Sequence, residues 1–412
     1  MYFYNRLPLR CYAVSALALA LTFVCSQRAL AHGDFLYMPQ SSLDAALYLS
    51  AQNKGPSDET LWQIPGVLMG GEATGSERGV AINDASLRYT WANIDGVFAV
   101  GEVGAHGHGS DLELMLEQAF SGYHWTHTSG HIKLEAGKMK GAFSLANPLH
   151  PAGRDFTEAS LPYQAFLGDH FSDLGARAQF MNWHGENGLS TYGTELWRGH
   201  EFPANKSADS PAWDVFARYQ HTAGRLQMTT GAWYMRTEAK DRRDDRTEDG
   251  HFHGGLNTGS DIRFTGDTDI TGFEAGALWQ HTPVLAYTLN GEFIVNRSDG
   301  MLRDDTRQAV AKLKQQGASI ALATHYLQHH LALRYELIKS DNTLSGAGSS
   351  SLGPSAGLDA NHHRPERISL AYQYSWQSGV SFRGEAIHDA SSRDSLDYFR
   401  ISVFWNGNLF SK

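Results

Sequence analysis

The chain has 412 residues, of which 34 are basic and 44 acidic, giving a net charge of −10, and it contains only two cysteines. An acidic chain of this composition is a poor nucleic-acid binder. Both cysteines, Cys11 and Cys25, lie within the first 31 residues, so the rest of the chain can form neither a disulfide nor a thiolate metal site.

Residues 1–31 have the pattern of a signal peptide. Arg6 and Arg10 precede an apolar stretch at 12–25 that is too short for a membrane-spanning helix, and Ala-Leu-Ala at 29–31 provides a cleavage site. We therefore predict that the protein is exported. Three of the 34 basic residues and no acid lie in this segment, so the mature chain carries 31 basic and 44 acidic residues, a net charge of −13.

The mature chain shows period-two alternation of apolar and polar residues. Clear examples are LDAALYLS (43–50), ASLRYTW (85–91) and RISLAYQYSW (367–376), of which the last two carry aromatic residues toward one end. Alternation of this kind is typical of strands with one lipid-facing side. The pattern predicts a short periplasmic N-terminal segment at 32–42, followed by an outer-membrane β-barrel over 43–412.

The breaks between strands alternate in length. Short turns are predicted near 92–96, 126–130, 184–188, 222–225, 282–284, 328–330 and 377–379. Longer connections are predicted at 51–79, 106–111, 140–172, 199–211, 237–267, 298–316, 341–364 and 389–394. This rhythm predicts an all-β transmembrane antiparallel barrel of about 16 strands, with short periplasmic turns and long outer loops. A soluble all-β sandwich or barrel is the alternative, because it shows similar alternation.

Five tryptophans stand just before short turns, where an interfacial girdle is expected: Trp91, Trp125, Trp183, Trp279 and Trp376.

One of the predicted outer loops has the charge pattern of a helix. In DDTRQAVAKLKQQ (304–316) acids precede lysines, which complements a helix dipole and predicts a short helix.

Residues 85–180 resemble the phosphate-selective porin family. The resemblance rests on ASLRYTW, VFAVGEVGA, LEQAFSGY, IKLEAGKMKGAFSL and LPYQAFLGDHFSDLGARAQF, in this order. It implies a sixteen-stranded porin, often a homotrimer, whose third loop folds into the pore. That loop corresponds to 140–172, the candidate pore-constricting loop, whose polar residues include His150, Arg154, Asp155, Glu158, Asp169 and His170.

Strand parity identifies a candidate pore lining. Seven basic and seven acidic residues fall on the inward parity: Arg88, Lys133, Arg177, Arg218, Arg334, Arg383 and Arg400, with Glu102, Glu135, Asp214, Glu274, Glu292, Glu336 and Glu385. A balanced lining does not concentrate anions, so the phosphate preference of the family is not predicted for this chain.

Histidines are abundant in the predicted outer loops. The clearest cluster is EDGHFHGG (248–255), where two carboxylates precede two imidazoles, and both ligand types suit Zn²⁺. The candidate metal ligands are Glu248, Asp249, His251, His253, His106, His108, His362 and His363. The alternative is that these are solvated loop residues with no ligand. His184, His221 and His281 end strands on the lipid-facing parity and are interpreted as interfacial side chains, with a periplasmic metal ring as the alternative.

The predicted function is a passive porin in the outer membrane of a Gram-negative bacterium, passing small hydrophilic solutes and favouring divalent ions such as zinc. The alternatives are a general or phosphate-type anion porin without a metal role, and a structural or surface-binding barrel. An energised receptor needs a larger barrel than this chain can build, and no motif of a hydrolase is present, so no enzyme activity is predicted. No cofactor is required, and Zn²⁺ is considered only as a weakly bound ligand of the outer loops. The expected partners are outer-membrane lipid, solutes and two further copies of the chain.

Overall fold

The computed structural model describes residues 40–55, 62–75, 78–108, 111–149, 151–205, 210–244, 246, 261–377 and 379–412, so the predicted signal peptide lies outside the described residues. Strands dominate this part of the chain. Their bounds are β1 Gln40–Gln52, β2 Gly79–Ala92, β3 Val97–His108, β4 Asp111–His127, β5 Gly130–Lys140, β6 Ser172–His184, β7 Gly188–Trp197, β8 Ala212–Ala223, β9 Leu226–Arg242, β10 Arg263–Thr282, β11 Leu285–Arg303, β12 Gln308–Tyr326, β13 His329–Ser340, β14 Thr343–Ser345, β15 Glu366–Ser375, β16 Val380–Ala390 and β17 Leu396–Ser411.

Within the described ranges, helical structure is confined to connections between strands. It consists of α1 (Leu161–Leu167), α2 (Ser349–Ser355) and a 3₁₀ turn at Pro151–Gly153. No helix among the described residues is long and apolar enough to cross a membrane.

The sheet closes on itself into a barrel. Strand β1 pairs antiparallel with both β2 and β17, so that Leu43 lies opposite Tyr89 on one side and Phe410 on the other. Strand β14 pairs only with the segment 310–312 of β12, whereas β13 pairs directly with β15. The wall therefore contains sixteen strands. Closure satisfies every edge strand, which is the condition for a sheet to span lipid.

The two faces of the wall have opposite character. In β15 the side chains of Ile368, Leu370 and Tyr372 are exposed on the outside, while Arg367 and Ser369 are buried inside. The same alternation runs round the barrel and gives it an apolar outer surface. A soluble barrel would present polar side chains there, so the predicted transmembrane barrel is confirmed and the soluble alternative is wrong.

The predicted rhythm of the connections is confirmed. All seven predicted short turns separate consecutive strands at one end, as between Ala92 and Val97. The long connections collect at the other end, and the longest fill 53–78, 141–171 and 243–262. The first described strand begins at Gln40, three residues before the predicted start of the barrel.

One predicted loop and its helix are wrong. Strand β12 begins at Gln308, so the segment 308–316 is strand, and only 304–307 connects it to β11. The acidic-to-basic order suggested a helix, but Ala309 and Ala311 alternate with exposed neighbours and face inward, as strand residues do. Pairing along all of β11 then outweighs the weak helix propensity.

The turn at 304–307 is held by one aspartate. The Asp304 carboxylate accepts hydrogen bonds from the backbone N–H groups of Thr306 and Arg307, at 2.8 and 2.6 Å. The guanidinium of Arg307 also donates to it, which keeps the pKa of Asp304 well below its ordinary value. An aspartate that accepts hydrogen bonds from the backbone of its own turn stabilises a turn at this position.

The tryptophan girdle is incomplete. Trp91, Trp125 and Trp279 lie on the outward parity of their strands and are exposed. Trp376 directly follows β15, is exposed and packs against exposed Phe382. Trp183 instead shares the inward parity of β6 and packs edge-on against the ring of His131, with 6.0 Å between ring centroids.

Candidate functional site

The inner wall carries all fourteen charged residues that strand parity assigned to the lumen. Most are deeply buried: Asp214 and Glu336 are 0% exposed and Arg383 and Arg400 are 2% exposed. Side chains lining an open aqueous channel would have a larger solvent-exposed fraction. The lumen at their level must therefore contain protein, and two of the long connections supply it.

The first of these is the connection at 141–171, which we call the inner loop. Its base is closed by a backbone hydrogen bond from Gly141 to Phe171 of 3.0 Å. The Asn147 amide donates to the carbonyl oxygens of both residues, at 2.8 Å each. This clamp lets the loop leave the wall and return at nearly the same point.

Carboxylates of the wall bind the backbone of the inner loop. Glu195 accepts from the N–H groups of Ala142 and Phe143, at 3.0 and 3.2 Å. Glu336 accepts from the N–H of Leu161, at 2.6 Å, in the first turn of α1. Further bonds of the same type join Glu274 to Leu145 and Glu385 to Thr157, both at 3.0 Å. A buried loop must satisfy its backbone donors, and here the wall does so.

Guanidinium groups of the wall bind carbonyl oxygens of the same loop and the carboxylate of its residue Glu158. Glu158 accepts from Arg367 and Arg400 at 2.5 Å each, and Tyr398 donates to it at 3.2 Å. Arg383 donates to the carbonyl of Arg154 at 2.6 Å. Opposite charges on the wall therefore hold the loop instead of facing open water.

Two wall residues central to this network were missed by the sequence reasoning. Glu195 is 0% exposed and Arg367 is 1% exposed. The signal for Arg367 was present, because it stands two residues before inward-facing Ser369 in a strand whose alternation was recognised. Glu195 has the inward parity of β7, alternating with exposed Leu196.

The second connection in the lumen is the segment 62–75, which we call the cover loop. Ile64, Val67 and Met69 are at most 3% exposed and form one apolar cluster with Phe143 and Phe166 of the inner loop. From the sequence, 51–79 is predicted only as a long outer loop. The apolar run IPGVLMGG was the available signal, since exposed loops are normally polar.

The cover loop is fixed at both ends and at its tip. Arg246 donates to the carbonyl oxygens of Trp62 at 2.8 Å and of Ala73 at 3.2 Å. Gly71 and Gly168 both have positive φ and approach so closely that a Cβ on Gly71 would lie 2.9 Å from the Gly168 Cα atom. The two loops therefore pack as one body, and glycine is required where they touch.

Polar residues on the side of the barrel formed by β2 to β4 are more exposed than the buried wall residues described above. Arg88 faces Glu102 with 3.7 Å between charged atoms, and its side chain is 29% exposed. On the loop side, Asp169 lies 3.9 Å from Arg154 and 3.6 Å from His170.

The candidate metal ligands divide into three groups. His106 is on the inner wall, where its ring nitrogens contact the Asn83 carbonyl at 2.7 Å and Glu117 at 2.8 Å, so it is not an open loop ligand. His363 contacts the Ala390 carbonyl at 3.0 Å, and His362 has a φ of 63°. The remaining candidates lie outside the described residues or have undescribed side chains: Glu248, Asp249, His251, His253 and His108, together with loop residue His150. Among described residues, no group of three or more His, Cys, Asp or Glu side chains is placed to hold a metal ion.

Histidines at the short-turn end occupy both faces of the wall. His281 packs edge-on outside against Trp279 with 4.9 Å between ring centroids, which fits the interfacial interpretation. Inside the barrel, His325 stacks on His330 at 4.2 Å, and His330 lies 3.3 Å from Asp155 of the inner loop. The adjacent His329 and His330 thus point to opposite faces.

Comparison with known proteins gives structural neighbours only. No protein-family model and no curated protein matches the chain. Similar solved structures include a loop-deletion mutant of OmpT, an outer membrane protein of Vibrio cholerae (11% identity, 90% of this chain and 100% of that chain, TM-score 0.48). They also include the outer membrane channel DcaP of Acinetobacter baumannii (10%, 90% and 98%, 0.49) and OprB of Pseudomonas putida (10%, 90% and 94%, 0.49).

Proposed function

We propose that this protein is a passive channel for small hydrophilic solutes in the outer membrane of a Gram-negative bacterium. The observation that carries the proposal is a closed sixteen-stranded wall, apolar outside and charged inside, whose lumen is narrowed by two loops. Barrels of this size leave an aqueous passage unless loops occupy it. Assembly as a homotrimer is part of the proposal and is supported by the family resemblance of residues 85–180.

Liposome swelling tests the proposal against a structural or surface-binding barrel. Purified protein in liposomes should admit neutral sugars up to a size limit, and planar bilayers should show discrete conductance steps. A barrel that is folded, as judged by heat-modifiable gel mobility, but admits neither sugar nor ions would favour the structural alternative.

The orientation of the barrel gives a first prediction. Protease added to intact cells should cut only in long connections such as 243–262, because the short turns face the periplasm. Mass spectrometry of the fragments identifies the sites. Cleavage from outside at 93–96 or 185–187 would show the opposite orientation.

Selectivity gives a second prediction. We expect weak cation preference and no saturation by phosphate, because the seven basic and seven acidic wall residues balance and several of them, such as Glu336 and Arg383, bind the inner loop. The mature charge of −13 leaves an acidic excess, whose attraction for cations is screened within about 10 Å at 0.1 M salt. The reversal potential in a salt gradient measures this preference. A strong anion preference, or block by millimolar phosphate, would contradict it.

Metal capture is a third prediction and concerns residues outside the described part of the chain. We expect Glu248, Asp249, His251 and His253 to bind Zn²⁺ weakly, since ordering a glycine-rich loop costs about 1–2 kcal/mol per residue. Calorimetry should show a zinc signal that weakens below about pH 6.5, as imidazole becomes protonated. The paired substitutions His251→Ala and His253→Ala should abolish it. Equal binding by this double variant would leave a channel without a metal role.

A further inference from the structure

A cavity of about 630 Å³ lies at the long-loop end of the barrel. The cover loop, the connection before β15 and the connection between β16 and β17 form its sides. Its floor is the network at Glu158, where the inner loop meets the wall. Ligand sites in proteins commonly have this volume, and a solute coming from the outer side would meet this cavity before the inner loop.

The cavity exposes carboxylates more than the guanidinium group at its floor. The side chains of Glu158 and Asp389 are 13% and 14% exposed, whereas that of Arg367 is 1% exposed. All five N–H groups of Arg367 already have acceptors, namely Glu336 twice, Glu158, Gln164 and the Ala159 carbonyl. An anionic solute at the floor therefore finds no donor on Arg367.

Asp389 has the least compensated charge at the floor. Its nearest guanidinium, that of Arg367, is 3.9 Å away, compared with 2.5 Å for Glu158 and 2.9 Å for Glu336. One oxygen accepts from the backbone N–H of Ser391 at 2.8 Å. The carboxylate keeps acceptor capacity toward the cavity, because an ionised carboxylate has about four acceptor positions.

The mouth of the cavity is also lined by aspartates. Asp359 and Asp394 line it, with Arg393 as the single basic residue among the described side chains there. Arg393 donates to the backbone carbonyl of Asp359 at 2.8 Å, not to its carboxylate. Trp62 adds an aromatic ring to the lining, and aromatic rings attract cations.

We propose that this cavity binds small organic cations bearing primary ammonium groups, with one ammonium held by Asp389 at the floor and a second by the acids at the mouth. The inference deepens the proposed function by naming the solute class, and its relevance to transport rests on that function. Ammonium groups donate three hydrogen bonds and match carboxylates whose acceptor positions are only partly filled by backbone N–H groups, as at Asp389 and Asp359.

Calorimetry on the folded protein in detergent tests binding without requiring transport. The probes are 1,5-diaminopentane, its neutral counterpart 1,5-pentanediol and its anionic counterpart glutarate, which share a five-carbon chain. We expect only the diamine to bind. Asp389→Asn should weaken its affinity by about ten-fold, since a lost charge-assisted hydrogen bond has this effect. Asp359→Asn is the second test variant, and a smaller loss is expected.

Asp305→Asn is the matched control, because this substitution makes the same change in net charge at a 76% exposed acid on a different connection. The Asp305→Asn variant should bind the diamine as tightly as the wild-type protein does. If Asp305→Asn weakened diamine binding as much as Asp389→Asn does, the loss would come from the overall negative charge of the outer loops, and the proposal would be overturned. Equal binding of glutarate, or unchanged binding after both Asp389→Asn and Asp359→Asn, would also overturn it.

Failure of this inference and failure of the proposed function give different results. If sugars swell the liposomes but the diamine does not bind, the channel stands and the cation site is wrong. If the diamine binds in calorimetry but no conductance is seen, the site stands and the channel function is wrong.

Discussion

Replacing residues 148–166 with a short glycine-serine linker should raise the single-channel conductance several-fold. The change removes α1 and the buried aromatic residues Phe156, Tyr163 and Phe166 from the lumen. It retains Asn147, whose amide clamps the base of the loop at Gly141. A channel's conductance is set by its narrowest cross-section, and the inner loop lies in the lumen, where its backbone binds buried wall residues.

The same linker in place of residues 247–260 is the control, because this segment belongs to a different outer connection. Its conductance should equal that of wild type. The cover loop adds a second condition, since Ile64 and Met69 pack against the inner loop. A variant that also replaces 63–70 should conduct more than the variant with one shortened loop. Unchanged conductance in both would place the ion path away from these loops.

Arg367→Met should lower the free energy of unfolding by about 3–5 kcal/mol, the cost typical of removing one partner from a buried ion network. Arg367 is 1% exposed and binds Glu336, whose carboxylate is 0% exposed, at 2.9 Å. Without it, the carboxylates of Glu336 and Glu158 remain buried with fewer donors. Urea unfolding in detergent micelles, followed by heat-modifiable gel mobility, measures the change.

Arg303→Met is the control for this prediction. Arg303 pairs with Asp241 at 2.7 Å, but both side chains are nearly half exposed, so a change within about 1 kcal/mol is expected. Adding Glu336→Gln to Arg367→Met should restore part of the lost stability, because the amide removes a buried charge and still accepts from Leu161. Equal stability of Arg367→Met and wild type would show that the network is solvated.

The barrel wall could be predicted because its determinants are local. Alternation in segments such as 367–376 assigns each side chain to one face, since strand side chains have a period of two. Turn positions follow from short polar breaks such as 92–96, whose backbone conformations few residues can adopt. Even so, Trp183 shows a limit, because its position before a turn suggested a girdle while its parity turned it inward.

The sequence by itself determined the closed barrel, its two faces and the placement of charged residues on the inner wall. Only the tertiary structure decided that Glu195, Glu336 and Arg367 bind the inner loop, that the cover loop enters the lumen, and that 308–316 is strand. The reason is physical. Facing direction depends on neighbours one or two residues away, whereas partner choice inside the barrel joins residues more than 50 positions apart. Such partners are brought together only when the wall has closed and the loops have folded into it.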